Sequence, residues 1–299
     1  MKICVKSDNA GWIIDNISKD YKKYSKHSIV REEHADLAWH INLFGFNTVC
    51  KKNIVYIHHI NELKLNLYNF KLYNTADACI VPSLKTKCVV EKYLNIPIYH
   101  FPQWIVSSSI LAPDDEKVKK LKQKIGDKYF LIGSFVKDGD GKSGKNPKLV
   151  KDPDKFISIV KAVNNIMPVK VVLAGYARQY VISRLQKEKI PFECLQRYPN
   201  ISDLYNLIDC YLVTSKVEGG PQSVYEASYW KKRIFSTDVG VASEVLHPTC
   251  ICDSVHDFVK RITSDEYDLE YNYKNVINNH TYQTVIPKLD SFFEEFMEK

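Results

Sequence analysis

The chain has 299 residues, of which 45% are apolar and 26% charged, and its formal net charge is +7. These values are typical of a soluble globular protein with room for two domains, each with its own core. No apolar run approaches the roughly 20 residues that a membrane-spanning helix requires. The N-terminal Met1–Lys6 reads as a charged strand rather than a signal peptide. We therefore expect a cytoplasmic protein.

Short apolar runs alternate with longer periodic segments in the first part of the chain, which is typical of βαβ units and parallel sheets. Helices are predicted at Trp12–Tyr24 and Lys85–Leu94. The predicted strands are Lys2–Lys6, Ala35–Ile41, Ile54–Ile60, Ala78–Pro82 and Ile98–Phe101. The pattern dissolves after Pro102, so we predict a first, reduced Rossmann-like domain over residues 1–125.

An amphipathic, lysine-rich stretch at Lys117–Lys124 closes this domain. Its lysines are interpreted as a solvated helix face. A basic rim could instead make peripheral contact with an anionic membrane or an acidic acceptor. Nucleic-acid binding is not expected, because no basic run is interleaved with aromatic residues in a known module.

A second series of strands and helices follows, and it predicts another Rossmann-like domain over residues 126–279. Its strands are predicted at Tyr129–Val136, Val169–Gly175, Phe192–Arg197, Cys210–Thr214, Arg233–Asp238 and Cys250–Cys252. Its helices are predicted at Asp154–Asn165, Arg178–Lys189 and Gln222–Trp230. A last helix, His280–Glu298, is expected to pack back toward the first domain. Two open α/β domains imply an interdomain cleft at the carboxyl ends of their strands, where such sheets bind ligands.

The most informative segment reads Glu218-Gly-Gly-Pro-Gln-Ser-Val-Tyr-Glu226 and joins a predicted strand to a predicted helix. A helix that begins after glycines and a proline leaves its first backbone amides free, which favours phosphate binding. The two carboxylates that flank this start could bind hydroxyls of a sugar diphosphate. The alternative is an ordinary strand–glycine–helix turn in which Glu226 is a solvated or capping residue.

A glycine-rich loop at Gly139–Lys145 matches both the dinucleotide fingerprint and most of a Walker A motif. Both motifs require a helix to begin directly after the last glycine. Here Pro147 and Pro153 delay the helix until about Asp152, because the residue before proline avoids helical angles. We therefore interpret the segment as a polar loop. A magnesium-dependent nucleotide hydrolase remains the alternative function.

The eight cysteines show no zinc-type spacing, which predicts reduced thiols and no metal. Four of them, Cys4, Cys79, Cys210 and Cys250, lie in strand-like runs. A free cysteine in such a run behaves as a small buried apolar residue.

Together these segments resemble the retaining GT-B glycosyltransferases of family four. The similarity is clearest from Tyr129 to Leu246, and it includes Ile132-Gly-Ser-Phe135, Val172-Leu-Ala-Gly175, Asp209–Pro221 and Thr237-Asp-Val-Gly240. The resemblance implies a GT-B fold, with a nucleotide-sugar donor site mostly in the second domain and an acceptor site mostly in the first. The donor would be linked to UDP or GDP. The acceptor would be a glycan, a lipid-linked molecule or a small molecule.

The resemblance also implies roles for single residues. Glu218 matches the first glutamate of the family's E-x7-E motif, which contacts the transferred sugar, and Glu226 matches the second, which holds the ribose. His58 is similar to the histidine near the reacting anomeric carbon. The remaining donor-binding residues implied by the resemblance are Lys137, Lys151, Gly219, Gly220, Pro221, Tyr198 and Gly11.

The chain departs from the family pattern at two places. A single Gly11, after Asp8-Asn9-Ala10, replaces a glycine pair, and Lys137 stands in place of an arginine. Lysine loses the bidentate fork with which arginine binds phosphate. By resemblance, the sugar is transferred with retention and without a metal, and the leaving phosphate takes the acceptor's proton. The alternative from another class is a nucleotide- or carbohydrate-binding protein that has the fold without the catalysis.

Overall fold

The computed structural model describes residues 1–7, 11–41, 46–62, 65–126, 128–264 and 267–299. The chain forms two units, and each contains one parallel sheet. Unit 1 comprises Met1–Ser107, Glu218–Gln222 and Ile277–Lys299. Unit 2 comprises Ser108–Val217 and Ser223–Val276. The predicted fold class of two Rossmann-like open parallel sheets is confirmed.

Unit 1 is built on a six-stranded sheet in the order β2-β1-β3-β4-β5-β6, in which all recorded strand pairs are parallel. The strands are β1 (Lys2–Lys6), β2 (Ser28–Ile29), β3 (Leu37–His40), β4 (Lys52–Tyr56), β5 (Ala78–Val81) and β6 (Ile98–His100). β3 and β5 are buried along their whole length. Such burial explains their nearly continuous apolar sequence, since central parallel strands are covered on both faces.

Within the described part of the chain, four α-helices lie wholly in unit 1, and the last of them is near the C-terminus. They are α1 (Ile13–Tyr24), α2 (Leu67–Tyr73), α3 (Leu84–Val90) and α12 (Tyr282–Glu298). α12 places Phe293 in edge-to-face contact with Tyr21 and Trp39. The buried carboxylate of Asp290 accepts hydrogen bonds from the Tyr21 and Ser25 hydroxyls, both at 2.7 Å. α12 is therefore part of the core of unit 1.

Unit 2 is built on a five-stranded parallel sheet in the order β11-β10-β7-β8-β9. The strands are β7 (Phe130–Ser134), β8 (Val169–Ala174), β9 (Phe192–Leu195), β10 (Cys210–Val213) and β11 (Arg233–Ser236). The helices are α4 (Asp115–Ile125), α5 (Pro153–Asn164), α6 (Gln179–Lys187), α7 (Ile201–Leu207), α8 (Gln222–Tyr229), α9 (Ala242–Val245), α10 (Val255–Thr263) and α11 (Leu269–Asn279). α8 and α11 begin or end in unit 1.

Most predicted strands and helices lie within a few residues of the observed ones, but several details differ. The predicted strand Cys250–Cys252 is wrong, because Pro248–Cys250 forms a 3-10 turn and Ile251 makes one isolated bridge to Ser236. A proline at the first position of this turn fixes the backbone angle that the turn needs. The strand predicted to extend to Ile60 ends at Tyr56. Residues 108–125, predicted with the first domain, lie in unit 2.

The lysine-rich helix α4 carries basic side chains mostly in exposed positions. Lys117 forms an ion pair at 2.8 Å with Asp114, the N-cap residue of α4, and Lys124 forms one at 2.7 Å with Glu193. Within the described ranges, every helix is too short or too polar to cross a bilayer.

Candidate functional site

The glycine pair predicted to meet the donor lies in the short segment Glu218–Gln222, which belongs to unit 1. Gly219 and Gly220 are buried, and Glu218 and Pro221 are half-buried. A Cβ at Gly219 would overlap the carbonyl oxygen of His58, and a Cβ at Gly220 would overlap Oε1 of Gln103. Glycine is required at position 219, because the obstacle there is backbone, whereas a side chain at position 220 would have to displace the end of the Gln103 side chain.

The side chain of Gln222 fastens the same segment to a second part of unit 1. Its Nε2 donates to the carbonyl oxygen of Trp104 at 2.9 Å, and its Oε1 accepts from the amide of Val106 at 3.2 Å. The backbone that directly follows Glu218 is thus fixed by the close packing of its glycines and by the two hydrogen bonds of Gln222. A fixed backbone reduces the entropy lost when a side chain binds a ligand.

His58 lies just after the carboxyl end of β4 and is half-buried, while the adjacent His59 is exposed. Nδ1 of His58 lies 2.8 Å from Nε2 of Gln103, and the two histidine rings are 5.2 Å apart. The carbonyl of His58 faces Gly219. Unit 1 therefore brings His58, Gln103 and the glycine pair beside Glu218 into contact with one another.

Glu226 is in unit 2, within α8, and is 9% exposed. Its Oε1 accepts a hydrogen bond from Ser109 Oγ at 2.6 Å, and its Oε2 accepts one from the Tyr205 hydroxyl at 2.9 Å. Burial raises the pKa of Glu226, and these two hydrogen bonds oppose the shift. A carboxylate has about four acceptor positions, so each oxygen can still accept one further hydroxyl.

A buried ion pair follows the carboxyl ends of β7 and β8 in unit 2. Arg178 is 1% exposed and Asp138 is 3% exposed, and Nη2 of the arginine lies 3.1 Å from Oδ2 of the aspartate. The guanidinium also donates to Ser134 Oγ at 2.9 Å and to the carbonyl of Val136. Burial raises the pKa of Asp138 to about 6, and the charges of Arg178 and Lys151 oppose this shift.

The two lysines predicted to bind phosphate differ in their surroundings in unit 2. Lys137 is exposed, just after β7. Lys151 is half-buried in a 3-10 turn, and its carbonyl accepts from Thr214 Oγ1 at 3.1 Å. The charge of Lys151 lowers the pKa of Asp138, against the larger effect of burial.

Two further predicted residues lie in separate units. Tyr198, in unit 2, is half-buried and donates to Asp203 Oδ2 at 3.0 Å. Burial raises the pKa of Tyr198 to about 12. Gly11, in unit 1, has φ +78° and donates its amide to Asp15 Oδ2 at 2.6 Å. The preceding Asp8-Asn9-Ala10 lies outside the described residues.

The glycine-rich loop Gly139–Lys145 folds against the start of α6, as a Cβ at Gly139 or Gly144 would overlap the backbone of Ala177. Gly139 forms an antiparallel bridge with Pro147. The next helix, α5, begins only at Pro153, with Asp152 as its N-cap. A Walker A motif requires the helix to begin directly at the end of the loop. Here α5 begins eight residues after Lys145, so the loop does not meet this requirement.

Gln103, Asp138 and Arg178 were not predicted as site residues. Gln103 follows β6, and Arg178 follows β8 by a short turn, so both come after the carboxyl ends of strands. Polar residues at that edge of an open parallel sheet are candidates for ligand contact. That position in the chain is the signal that could have identified them. Among the described residues, no group of three or more His, Cys, Asp or Glu is placed to hold a metal.

Comparison with known proteins supports the fold along the whole chain. Residues 146–264 match the model of a family described as Glycosyl transferases group 1. The crystal structure of Anabaena HepE in complex with UDP and glucose is similar, with a TM-score of 0.77 and 12% identity, covering 99% of this chain and 100% of that one. The fold is GT-B.

Two other GT-B structures are similar as well. A glycosyltransferase from Rickettsia africae has a TM-score of 0.69 at 15% identity, covering 98% of this chain and 83% of that chain. Sucrose-phosphate synthase from Thermosynechococcus elongatus has a TM-score of 0.68 at 11% identity, covering 89% and 75%. No curated protein matches the sequence significantly.

Proposed function

We propose that the protein is a glycosyltransferase that moves a sugar from a nucleotide diphosphate donor to an acceptor hydroxyl. The observation that carries the proposal is the position of Glu218–Glu226 inside the stretch that matches the group 1 glycosyl transferases. The glycine pair in this segment is closely packed, and Glu218 beside it is half-buried. The similar Anabaena HepE has been crystallised with UDP and with UDP-glucose, which supports a nucleotide sugar as the donor here.

The proposed residue roles follow from chemistry at the ends of the donor. Glu218 accepts hydrogen bonds from the transferred sugar, and Glu226 accepts them from the ribose. The backbone N–H groups of Gly219, Gly220 and Gln222 bind near the diphosphate, since a helix start favours anions. Pro221 has no N–H, and it shapes the backbone between these donors. Lys137 and Lys151 bind phosphate as point charges. Tyr198 lies beside the base, Gly11 contributes a backbone contact and His58 binds close to the anomeric carbon.

The reaction is proposed to retain the anomeric configuration and to need no metal. Cleavage of the sugar–phosphate bond develops positive charge on the sugar ring and negative charge on the leaving diphosphate. The lysines and the helix amides stabilise the latter charge, and stabilisation of this kind is often the largest catalytic effect. The leaving phosphate takes the proton of the acceptor hydroxyl. The acceptor is a glycan, a lipid-linked molecule or a small molecule, and the site of action is the cytoplasm, with peripheral contact to an anionic membrane as an option.

A screen of UDP and GDP sugars tests this function. A ligand that binds only the folded state raises its stability by mass action, by about 2.7 kcal/mol at 100 times its dissociation constant. The cognate donor should therefore raise the melting temperature more than its free nucleotide does. Proton NMR of the reaction should then show loss of the donor and a product with the donor's anomeric configuration. An inverted product would contradict retention, and stabilisation without turnover for every acceptor class would favour a binding protein.

A further inference from the structure

Gln103 is a buried polar residue whose two amide atoms face different neighbours. It follows β6 and is 2% exposed. Its Nε2 lies 2.8 Å from Nδ1 of His58. Its Oε1 has no hydrogen-bond partner among the described residues and lies against Gly220. A buried polar atom without a partner costs free energy, so the placement of this side chain calls for a compensating role.

The contact with Gln103 determines which ring nitrogen of His58 carries the proton. The amide nitrogen of glutamine can only donate, so Nδ1 must accept with its lone pair. A neutral imidazole has one protonated nitrogen. The proton is therefore on Nε2, and the ring presents a hydrogen-bond donor on the side opposite to Gln103.

The surroundings of Gln103 keep its amide in this position. The next residue, Trp104, donates its indole N–H to Asp20 Oδ2 at 3.2 Å. The carbonyl oxygen of Trp104 accepts a hydrogen bond from Nε2 of Gln222. Gly220 closes the remaining side, since any side chain there would overlap Oε1. His58, Gln103 and the segment that carries Glu218 are thereby coupled within unit 1.

We propose that Gln103 is a positioning residue that holds His58 in the Nε2–H form, so that His58 donates a hydrogen bond to an oxygen of the transferred sugar. In this form neutral His58 cannot act as the base for the acceptor hydroxyl, because Nδ1 is occupied and Nε2 is already protonated. This role rests on the proposed function and assigns the kind of contact that His58 makes.

Nitrogen-15 NMR of the histidine rings in the free protein tests the proposal. Long-range proton–nitrogen spectra distinguish the two neutral tautomers, and the His58→Asn variant assigns the signals of His58. We expect the Nε2–H form in the wild type. Gln103→Glu replaces the donor by an acceptor and should move the proton to Nδ1. Gln103→Met offers His58 neither a donor nor an acceptor and should leave a mixture of the two neutral tautomers.

Kinetics of the same variants give the second readout. In Gln103→Glu, kcat should fall by about tenfold or more, because a donor aimed at the transition state is lost, while KM changes by less than about twofold. The kcat of Gln103→Met should lie between that of Gln103→Glu and that of the wild type. A merely structural role would instead lower the yield of folded protein in both variants without reversing the tautomer.

Two results would overturn the proposal. One is a wild-type His58 that carries its proton on Nδ1, and the other is a tautomer that stays the same in both Gln103 variants. The ring signals are read without donor or acceptor. A wrong tautomer therefore contradicts this inference, whereas the expected tautomers in a protein that never transfers sugar contradict the proposed function.

Discussion

The polar groups that follow the strands differ between the two units in how they are held. In unit 1, the segment beside Glu218 is positioned by close packing, with its glycines against His58 and Gln103. In unit 2, Asp138, Arg178 and Glu226 are buried ionisable groups held by hydrogen bonds and an ion pair. The segment beside Glu218 should therefore be sensitive to added volume, and the groups around Arg178 and Glu226 to a change of charge.

This difference separates two glutamates that are close in the sequence. Glu218 is half-buried on a fixed backbone. Glu226 has both of its oxygens bonded to neighbouring hydroxyls. Glu226 therefore binds a ligand through the acceptor positions left over by Ser109 and Tyr205. Substitutions that change charge or volume selectively can test this distinction.

The largest loss in the free energy of unfolding is expected from Arg178→Met. This change leaves Asp138 buried without its cation, and breaking a buried ion pair costs about 3–5 kcal/mol. Burial raises the pKa of Asp138 to about 6, above its unfolded value, so the folded state prefers the protonated carboxyl. Without the charge of Arg178, which lowers this pKa, Asp138 should titrate higher still. The loss should therefore be largest at pH 8 and should shrink as the pH falls toward about 6, below which the carboxyl is protonated in both proteins. Urea unfolding of the wild type and the variant at pH 8 and pH 5 measures this loss of unfolding free energy.

The double variant Asp138→Asn, Arg178→Met is the matched control for this charge effect. It removes both charges, so the unfolding free energy should recover at pH 8 and should no longer improve at pH 5. Equal losses for the single variant at both pH values would show that Asp138 is not ionised in the fold.

Gly219→Ala tests the sensitivity of unit 1 to volume. The new methyl group would overlap the backbone oxygen of His58, and this oxygen cannot move as freely as a side-chain end. Overpacking costs about 1–3 kcal/mol, and a displacement of about 1 Å in a catalytic group can lower the rate about 100-fold. Steady-state transfer assays should show this loss of kcat.

Gly126→Ala is the comparison variant for added volume. It introduces the same methyl group at a glycine with φ +91°, where none of the described residues outside its chain neighbours lies within 4 Å. It should lose only about 1–3 kcal/mol through backbone strain and should keep its turnover. Similar turnover in the two alanine variants would contradict the claim that packing positions the segment beside Glu218.

Glu226→Gln should have the smallest effect on stability. Burial raises the pKa of Glu226, so its ionised form is disfavoured in the fold, and the wild type loses stability as the pH rises above the unfolded pKa. Glutamine removes this loss and can still bond both hydroxyls, so the unfolding free energy at pH 7 should stay within about 1 kcal/mol of wild type or rise. Glu226→Ala leaves Ser109 and Tyr205 without their partner and should lose about 1–3 kcal/mol.

The sequence predicted the parallel sheets well, because buried strands leave uniform apolar runs between glycines and prolines. The prediction of secondary structure failed where short elements lack this pattern, as in the helices Leu67–Tyr73 and Ile201–Leu207 and in the turn at Pro248–Cys250. The contact between Gln103 and His58 joins residues 45 positions apart, and no local pattern encodes it. The two glutamates were predicted as site residues through spacing and resemblance, and the fold adds that Glu226 is buried and bonded to two hydroxyls.

The assignment of Glu218 to the sugar and Glu226 to the ribose is the central claim, and calorimetric titration with UDP and UDP-glucose tests it most directly. Hydrogen bonds to a charged group contribute about 1.5–3 kcal/mol, so Glu226→Ala should weaken the binding of both ligands by this amount. Glu218→Ala should leave UDP affinity unchanged and remove the difference in affinity between UDP-glucose and UDP. Equal weakening of UDP by the two variants, or normal binding of both ligands in both variants, would contradict the account.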